Sequence, residues 1–314
     1  MNLKPEGIVE HLPPRRPEAP AISVILPTYN RAAMLGPSVA SVLGQTERDL
    51  ELIIVDDGSK DGTRELVEEF RRQDPRVGYL REQNLGLPRA LNNGFRVARG
   101  EFWTWTSDDN RYLPEALECL ARILRQRPGA AIAYADMLLR RREGLLCLPP
   151  RYPENRWANN VFGAIFLYRA TLARQAGEYD PALRMVEDYD FLLRVSRLGE
   201  VVHWPYILYE YGDHEGSLTN TRQLEHLRAL ARMLAKQRQL GGARRRELSD
   251  LAIQAAGVSR RRGQCWTGLG LALQAVGLWP LNPRAYGSAA LALAACVAQG
   301  GRNRPLTPPP TPPT

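Results

Sequence analysis

The chain has 314 residues, 44% of them hydrophobic and 24% charged, with 42 lysines and arginines against 34 acidic residues. That is enough apolar material for a real core, so a wholly disordered chain is excluded. Four widely spaced cysteines (Cys119, Cys147, Cys265, Cys296) without a signal-peptide pattern predict reduced thiols in the cytoplasm, and four histidines without zinc-ligand spacing and no C-x-x-C argue against a zinc site. The net charge of +8 suits nucleic acid, anionic lipid or phosphorylated substrates. Its basic runs are short and carry no interleaved aromatics, which points to solvated helix faces and away from nucleic acid.

In chain order, residues 1–20 hold five prolines and little apolar periodicity, and are expected to be disordered or extended. From Ala21 onward short β-branched runs alternate with helical patterns: "AISVILP" then 32–44, "LELIIV" then 60–72, "VGYL" then 87–99, "FWTWT" then 114–126. This alternation predicts an α/β fold with a parallel sheet covered by helices, and ligands in such sheets bind beyond the carboxyl ends of the strands. "AIAYADMLL" (131–139) adds a strand, after which the alternation lapses to about Asn160. "VFGAIFLYRATLARQAG" and the acid-led helix "MVEDYDFLLRVSRLG" follow, and "VVHWPYILYEYGDHEGS" reads as a strand pair or a strand and loop. Beyond Thr221 the composition turns to Leu, Ala, Arg and Gln, giving a domain boundary near Asn220, a helical appendage over 221–302 and a Pro-rich tail over 303–314. Residues 263–301 hold one charge, Arg284, and are long enough for a membrane span, but Gln264, Gln274, Pro280 and Pro283 favour packed or interfacial helices whose basic neighbours reach anionic lipid. Trp266 and Trp279 suit a membrane interface or a core.

Three strand ends are polar: "PTYNR" (27–31), "DDGS" (56–59) and "SDDN" (107–110). Adjacent Asp108 and Asp109 at the end of a buried strand repel each other unless compensated, and a divalent cation shared with a substrate diphosphate provides that compensation. A turn capping the next helix explains the same residues. Asp56 and Asp57 serve either a loop capped by Ser59 or Asp61, or a nucleobase or ribose at the sheet rim. In "MVEDYDFLLRVSRL", at about 100° per residue, Phe191, Leu192, Val195 and Leu198 make one apolar stripe with Asp188 inside its arc. Asp190 then points the opposite way and Glu187 lies at the margin, both complementing the helix dipole.

"SVILPTYNRAAMLGPSVASVLGQTERDLELIIVDDGSKDGT", "G.PRALNNGF..A.GE", "GEFWTWTSDDNRYLP" and "GEYDPALRMVEDYDFLLRVSRLG" arrive in an order that resembles the family 2 glycosyltransferases of the GT-A fold, over 21–220. The resemblance implies a Rossmann-like, mostly parallel sheet flanked by helices and inverting transfer from a nucleotide sugar. It also implies Pro27, Thr28, Tyr29 and Asn30 around the base, Asp57 on the uracil or equivalent edge, and Arg89 near the diphosphate. Asp108 and Asp109 match the family's metal and ribose motif with Mn2+ or Mg2+, although Thr106 stands where a further aspartate often sits. Asp188 matches the catalytic base. His214, in "YEYGDHEGS", matches a loop over the diphosphate and serves either phosphate and metal or structure alone. Tyr112, Trp157 and Phe162 line the sugar or acceptor cleft or pack the core.

The expected activity moves a sugar, UDP-sugar favoured, to a hydroxyl of a glycan or lipid-linked acceptor in cell-surface polysaccharide or glycoconjugate synthesis. The expected setting is the cytoplasm, with peripheral contact at the inner face of an anionic membrane. The rivals are an inactive nucleotide-sugar or glycan-binding protein, and a sugar nucleotidyltransferase. The second lacks a Gly-rich phosphate loop after the first strand. A dinucleotide oxidoreductase is poorer still, since "GLGLAL" (268–273) lacks a third glycine and follows no strand.

Overall fold

A computed structural model of the chain describes residues 7–141, 144–147, 162–212, 223–240, 245–261 and 263–298. The chain divides into two compact units, Met1–Asn220 and Thr221–Thr314.

The strands of the first unit are β1 (Ile8–Leu12), β2 (Ile22–Thr28), β3 (Leu50–Asp56), β4 (Val77–Glu82), β5 (Phe102–Trp105), β6 (Arg111–Tyr112), β7 (Ala130–Arg141), β8 (Gly144–Cys147), β9 (Phe166–Arg169) and β10 (Glu200–Gly212). Its helices are α1 (Ala32–Leu43), α2 (Thr63–Gln73), α3 (Leu87–Val97), α4 (Ala116–Gln126), α5 (Ala170–Ala176) and α6 (Glu187–Val195). The strands join one sheet in the order β1-β4-β3-β2-β5-β9-β7-β10-β6, with β8 on β7. The neighbours β4, β3, β2 and β5 run parallel, as do β7 and β10. Antiparallel β9 separates these two parallel blocks.

Every residue of β3 is buried, because helices cover both faces of a parallel sheet. Glu51 at its centre is tolerated because it is fully satisfied, accepting from Ser23 Oγ at 2.7 Å and from Arg99 Nη2 at 2.9 Å. On α3, a Cβ at Gly94 would lie 2.6 Å from Ile25 Cγ2, so glycine is what lets that helix settle on β2.

Two sequence expectations change. The N-terminal twenty residues are not wholly disordered: "IVEHL" makes edge strand β1, antiparallel to β4. Its half-buried and exposed residues alternate, a pattern that the flanking prolines obscure. "VVHWPYILYEYG" is one long strand, β10, interrupted by register shifts around Trp204 to Ile207, where Pro205 cannot donate to a ladder.

The second unit holds α7 (Gln223–Gln239), α8 (Arg245–Arg261), α9 (Cys265–Leu278) and α10 (Pro283–Ala298). Among the described residues no helix is long and apolar enough to cross a membrane.

Candidate active site

Strands β3, β2 and β5 are adjacent and parallel, so the loops leaving their carboxyl ends share one rim. Thr28 Oγ1 donates to Asp108 Oδ2 at 2.9 Å, and the Asp57 amide donates to the Thr28 carbonyl at 2.9 Å. Asn30 has φ 53°, an uncommon conformation for a residue with a Cβ. It is held there from two sides: its amide donates to Ser59 Oγ at 2.9 Å and its Oδ1 accepts from the Lys60 amide at 2.8 Å. Tyr29, 44% exposed, faces solvent beside this pinned turn.

The two aspartates after β3 divide structure from rim. Asp56 accepts from Tyr79 Oη and from the Ser59 amide, each at 2.7 Å, and is wholly buried. Asp57 accepts from the Leu85 and Gly86 amides at 2.7 and 2.9 Å, tying the β4–α3 loop to the rim. Burial raises the Asp57 carboxyl above its ordinary range, against the pull of those amides. Behind it Glu82 accepts from Asn93 Nδ2 at 2.6 Å, and burial reinforced by the Asp57 charge pushes Glu82 up to about 8. Arg89 is exposed in the first turn of α3.

After β5, Asp108 is buried and its carboxyl is pushed up to about 6 by burial, with Arg31 opposing and Asp109 adding to the shift. Arg31 Nη1 lies 3.5 Å from Asp108 Oδ1 and 3.2 Å from Asp109 Oδ2. One cationic atom thus touches both carboxylates. The loop is fixed from the far side of the sheet: Arg140 Nη2 donates to the Asp109 carbonyl at 2.7 Å, and the Gly212 amide donates to Asn110 Oδ1 at 2.8 Å. A Cβ at Gly212 would lie 2.6 Å from the Asp109 carbonyl oxygen, so a larger residue would push β10 off this loop. Thr106, where the family often has an aspartate, is buried with its hydroxyl 2.6 Å from Tyr209 Oη.

The acidic pair fits a hard divalent cation in donor chemistry, since two carboxylates already converge on one positive charge. Among the described residues no group of three or more His, Cys, Asp or Glu could hold a metal, so Asp108 and Asp109 would be completed by ligands from elsewhere, as a hard cation shared with a substrate phosphate and water allows. His214 and Trp157 lie outside the described residues. Tyr112 and Phe162 are core residues, with Tyr112 packed edge-on to Tyr209 and Phe162 to Tyr134.

Helix α6 overturns the helical-wheel expectation. Asp188 is the half-buried acid, whereas Asp190 and Glu187 are buried. Asp190 pairs with Arg194 Nε at 3.0 Å, one turn along. Asp188 Oδ1 accepts from its neighbour's amide, Tyr189 N, at 2.7 Å. Glu187 Oε2 is buried without a hydrogen-bond partner, and burial together with the Asp188 charge pushes that carboxyl up to about 8. The residue entering this helix, Met185, has φ 81°, in the left-handed region that favours glycine. Phe191 stacks on Tyr179 with centroids 4.2 Å apart and meets Tyr168 edge-on, anchoring α6 to β9, the strand beside β5.

Sequence reading passed over three groups. Arg31 was legible as the residue closing "PTYNR", but its reach to Asp108 and Asp109, 77 and 78 positions away, is a tertiary fact. Glu82 and Glu187 carry no sequence signal separating them from ordinary surface acids.

Residues 23–146 match the model of glycosyl transferase family 2. That segment contains the whole rim from Thr28 to Asp109. The chain carries a family 2 glycosyltransferase domain. An uncharacterized glycosyltransferase of Rickettsia typhi is 28% identical over 256 residues, 75% of this chain and 80% of that protein. The GalNAc(5)-diNAcBac-PP-undecaprenol beta-1,3-glucosyltransferase of Campylobacter jejuni is 35% identical over 128 residues, 40% of this chain and 41% of its own length. Among solved structures, S. aureus TarS 1–349 superposes with a TM-score of 0.63 at 18% identity, covering 89% of this chain and 91% of that one. The mannosyltransferase PcManGT from Pyrobaculum calidifontis, in complex with GDP-Man and Mn2+, gives 0.60 at 18% identity, covering 93% and 89%. The transferase domain thus has the GT-A fold. Helix α6 lies beyond the matched segment, so the family match reaches the rim and not Asp188.

Proposed function

We propose that this glycosyltransferase transfers a sugar with inversion from a nucleoside-diphosphate sugar, UDP-sugar favoured, to a hydroxyl of a glycan or lipid-linked acceptor. The observation that carries the reading is the convergence of Asp108 and Asp109 on one cation position, braced by Thr28. Pro27, Thr28, Tyr29 and Asn30 surround the base, and Asp57 accepts the imide N–H of a uracil. Arg89 lies on the diphosphate side. Asp108 and Asp109 hold Mn2+ or Mg2+, with His214 as a further contact; the bound ion supplies Lewis-acid stabilisation of charge growing on the leaving diphosphate. The solved structure of PcManGT, which has the same fold, is in complex with GDP-Man and Mn2+, which supports this class of donor and ion.

Asp188 accepts the proton of the acceptor hydroxyl as its oxygen bonds to the anomeric carbon; the bond from that carbon to the diphosphate oxygen breaks, and its electron pair leaves with the nucleotide. Burial and the Asp188 charge raise the carboxyl of the adjacent Glu187. The synthesis of surface polysaccharide or glycoconjugate from the cytoplasmic side is the setting in which such an acceptor is met.

Two measurements test this. Slow hydrolysis of UDP-, GDP- and dTDP-sugars with Mn2+ identifies the donor without an acceptor. Asp188→Asn then lowers turnover by roughly 10²- to 10⁴-fold, the usual contribution of a general base, while calorimetric donor affinity stays within about twofold. Full turnover by this variant overturns the assignment.

A further inference from the structure

In the second unit, α9 and α10 are built inside out for a water-soluble hairpin. Their buried positions are small: Cys265, Gly268, Ala272 and Ala275 on α9, and Ala285, Ser288, Ala292 and Cys296 on α10. The large apolar side chains point outward: Trp266 and Leu273 on α9, Leu281 in the turn, and Leu291, Leu293 and Val297 on α10, from 41% to 81% exposed. Among the described residues the cluster packed here is Ala252, Ala275 and Ala285, with Ile253, Val276 and Leu278 against it. A soluble bundle gains stability by burying leucines, each contributing roughly 1.5–3 kcal/mol. Small residues between helices and large ones outside is the distribution of helices solvated by lipid.

The charges around this face select its partner. Arg284 is the one charged residue from Gly263 to Ala298 and stands exposed in the first turn of α10, next to the α9–α10 turn. Beside the turn, Arg246 lies over the Trp279 ring at 5.2 Å. Arg260 stands at the opposite end, where the Gln264 amide donates to the carbonyl of its neighbour Ser259. Arginines therefore bracket the apolar hairpin at both ends. Thr221–Thr314 carries 14 basic residues against three acidic ones, leaving 28 against 31 in Met1–Asn220, so the positive excess of the chain belongs to the helical unit. Juxtaposing two such units to cover the face would oppose like charges, whereas anionic headgroups neutralise them. With 14 and 16 residues, the helices reach about 21 and 24 Å at 1.5 Å per residue, short of the roughly 30 Å hydrocarbon core.

We propose that the outer face of the α9–α10 hairpin lies flat in the headgroup boundary of an anionic bilayer, with Arg246, Arg260 and Arg284 on lipid phosphates. The large apolar side chains enter the acyl region and the helices do not span it.

The test uses the full chain and co-sedimentation with phosphatidylcholine vesicles containing or lacking 30% phosphatidylglycerol. The wild type partitions onto the anionic vesicles at least tenfold more strongly than onto neutral ones, and Leu273→Glu/Leu291→Glu reduces that partitioning at least tenfold. Arg246→Gln/Arg284→Gln weakens it and flattens its salt dependence. All variants retain donor hydrolysis without vesicles and an unchanged helical circular dichroism spectrum, so a failure here is separable from a failure of the transferase reading. Two outcomes overturn the proposal: no preference for anionic vesicles, or a wild-type dimer in light scattering that Leu273→Glu/Leu291→Glu converts to monomer, which would assign the face to a second copy.

Discussion

Arg31 Nη1 lies 3.5 Å from Asp108 Oδ1 and 3.2 Å from Asp109 Oδ2, so it would compete with a divalent ion held by those two carboxylates as proposed. Guanidinium and metal are both cations, so each disfavours the other. Two unit charges about 4 Å apart interact by roughly 4 kcal/mol at an effective dielectric constant of 20, and a quarter of that is worth about fivefold in affinity. Arg31→Gln is therefore expected to tighten Mn2+ binding to nucleotide-free protein about fivefold or more, read by paramagnetic resonance titration; unchanged affinity would show that the guanidinium does not share the ion's position. Glu187 gives a second prediction, in pH. Its folded pKa of about 8 lies above the ordinary 4.5, so the fold binds a proton that the unfolded chain has lost between those values. The contribution is fully present below pH 4.5 and is lost as pH rises through about 8. Thermal melts of the wild type should lose stability across this window, and Glu187→Gln, permanently neutral, should flatten that decline. Parallel slopes for the two proteins would show that Glu187 does not carry it.

At the scale of elements, α6 shows what patterning could not resolve. Phe191, Leu192, Leu193 and Val195 are all buried, so the helix is apolar on several sides and its stripe has no single direction from which to place an acid. The packed face belongs instead to Asp190, made tolerable by Arg194, which also donates to the Ala176 and Glu178 carbonyls and so ties α6 to the end of α5. Removing one partner of a buried pair costs about 3–5 kcal/mol. Asp190→Ala should therefore lower the melting temperature markedly, while Asp188→Asn leaves it within a degree or two and removes turnover; equal melting losses from both would put Asp188 among the structural acids. The parallel block was legible because β2 and β3 are apolar runs broken inside only by Ser23 and Glu51, each ending on a polar turn. The edge strand β1 was not, because prolines surround it and five residues give little room for an alternation to register. Asp108 and Asp109 could be read as a site from their burial cost alone, whereas Arg31, Glu82 and Gly212 acquire meaning only when strands remote in sequence become neighbours.

For the whole molecule, the two units differ in core and in charge. Among the described residues the main core cluster runs from Ile22 on β2 to Tyr209 on β10, all within the first unit. The rim residues Thr28, Asp57, Asp108 and Asp109 and the proposed base Asp188 lie in the same unit. A chain ending at Asn220 should accordingly fold by itself, and its 28 basic against 31 acidic residues should move it from cation-exchange to anion-exchange retention at pH 8. Its hydrolysis of the donor, limited by chemistry at the rim, is expected within about threefold of the full chain, a difference below about 0.7 kcal/mol. Transfer to an acceptor presented on anionic vesicles should instead fall at least tenfold, because the truncated chain loses the basic apolar hairpin while keeping the site. If hydrolysis and vesicle-bound transfer fall together, the helical unit is needed to build the site, and the division of labour between a catalytic and a surface-seeking unit fails.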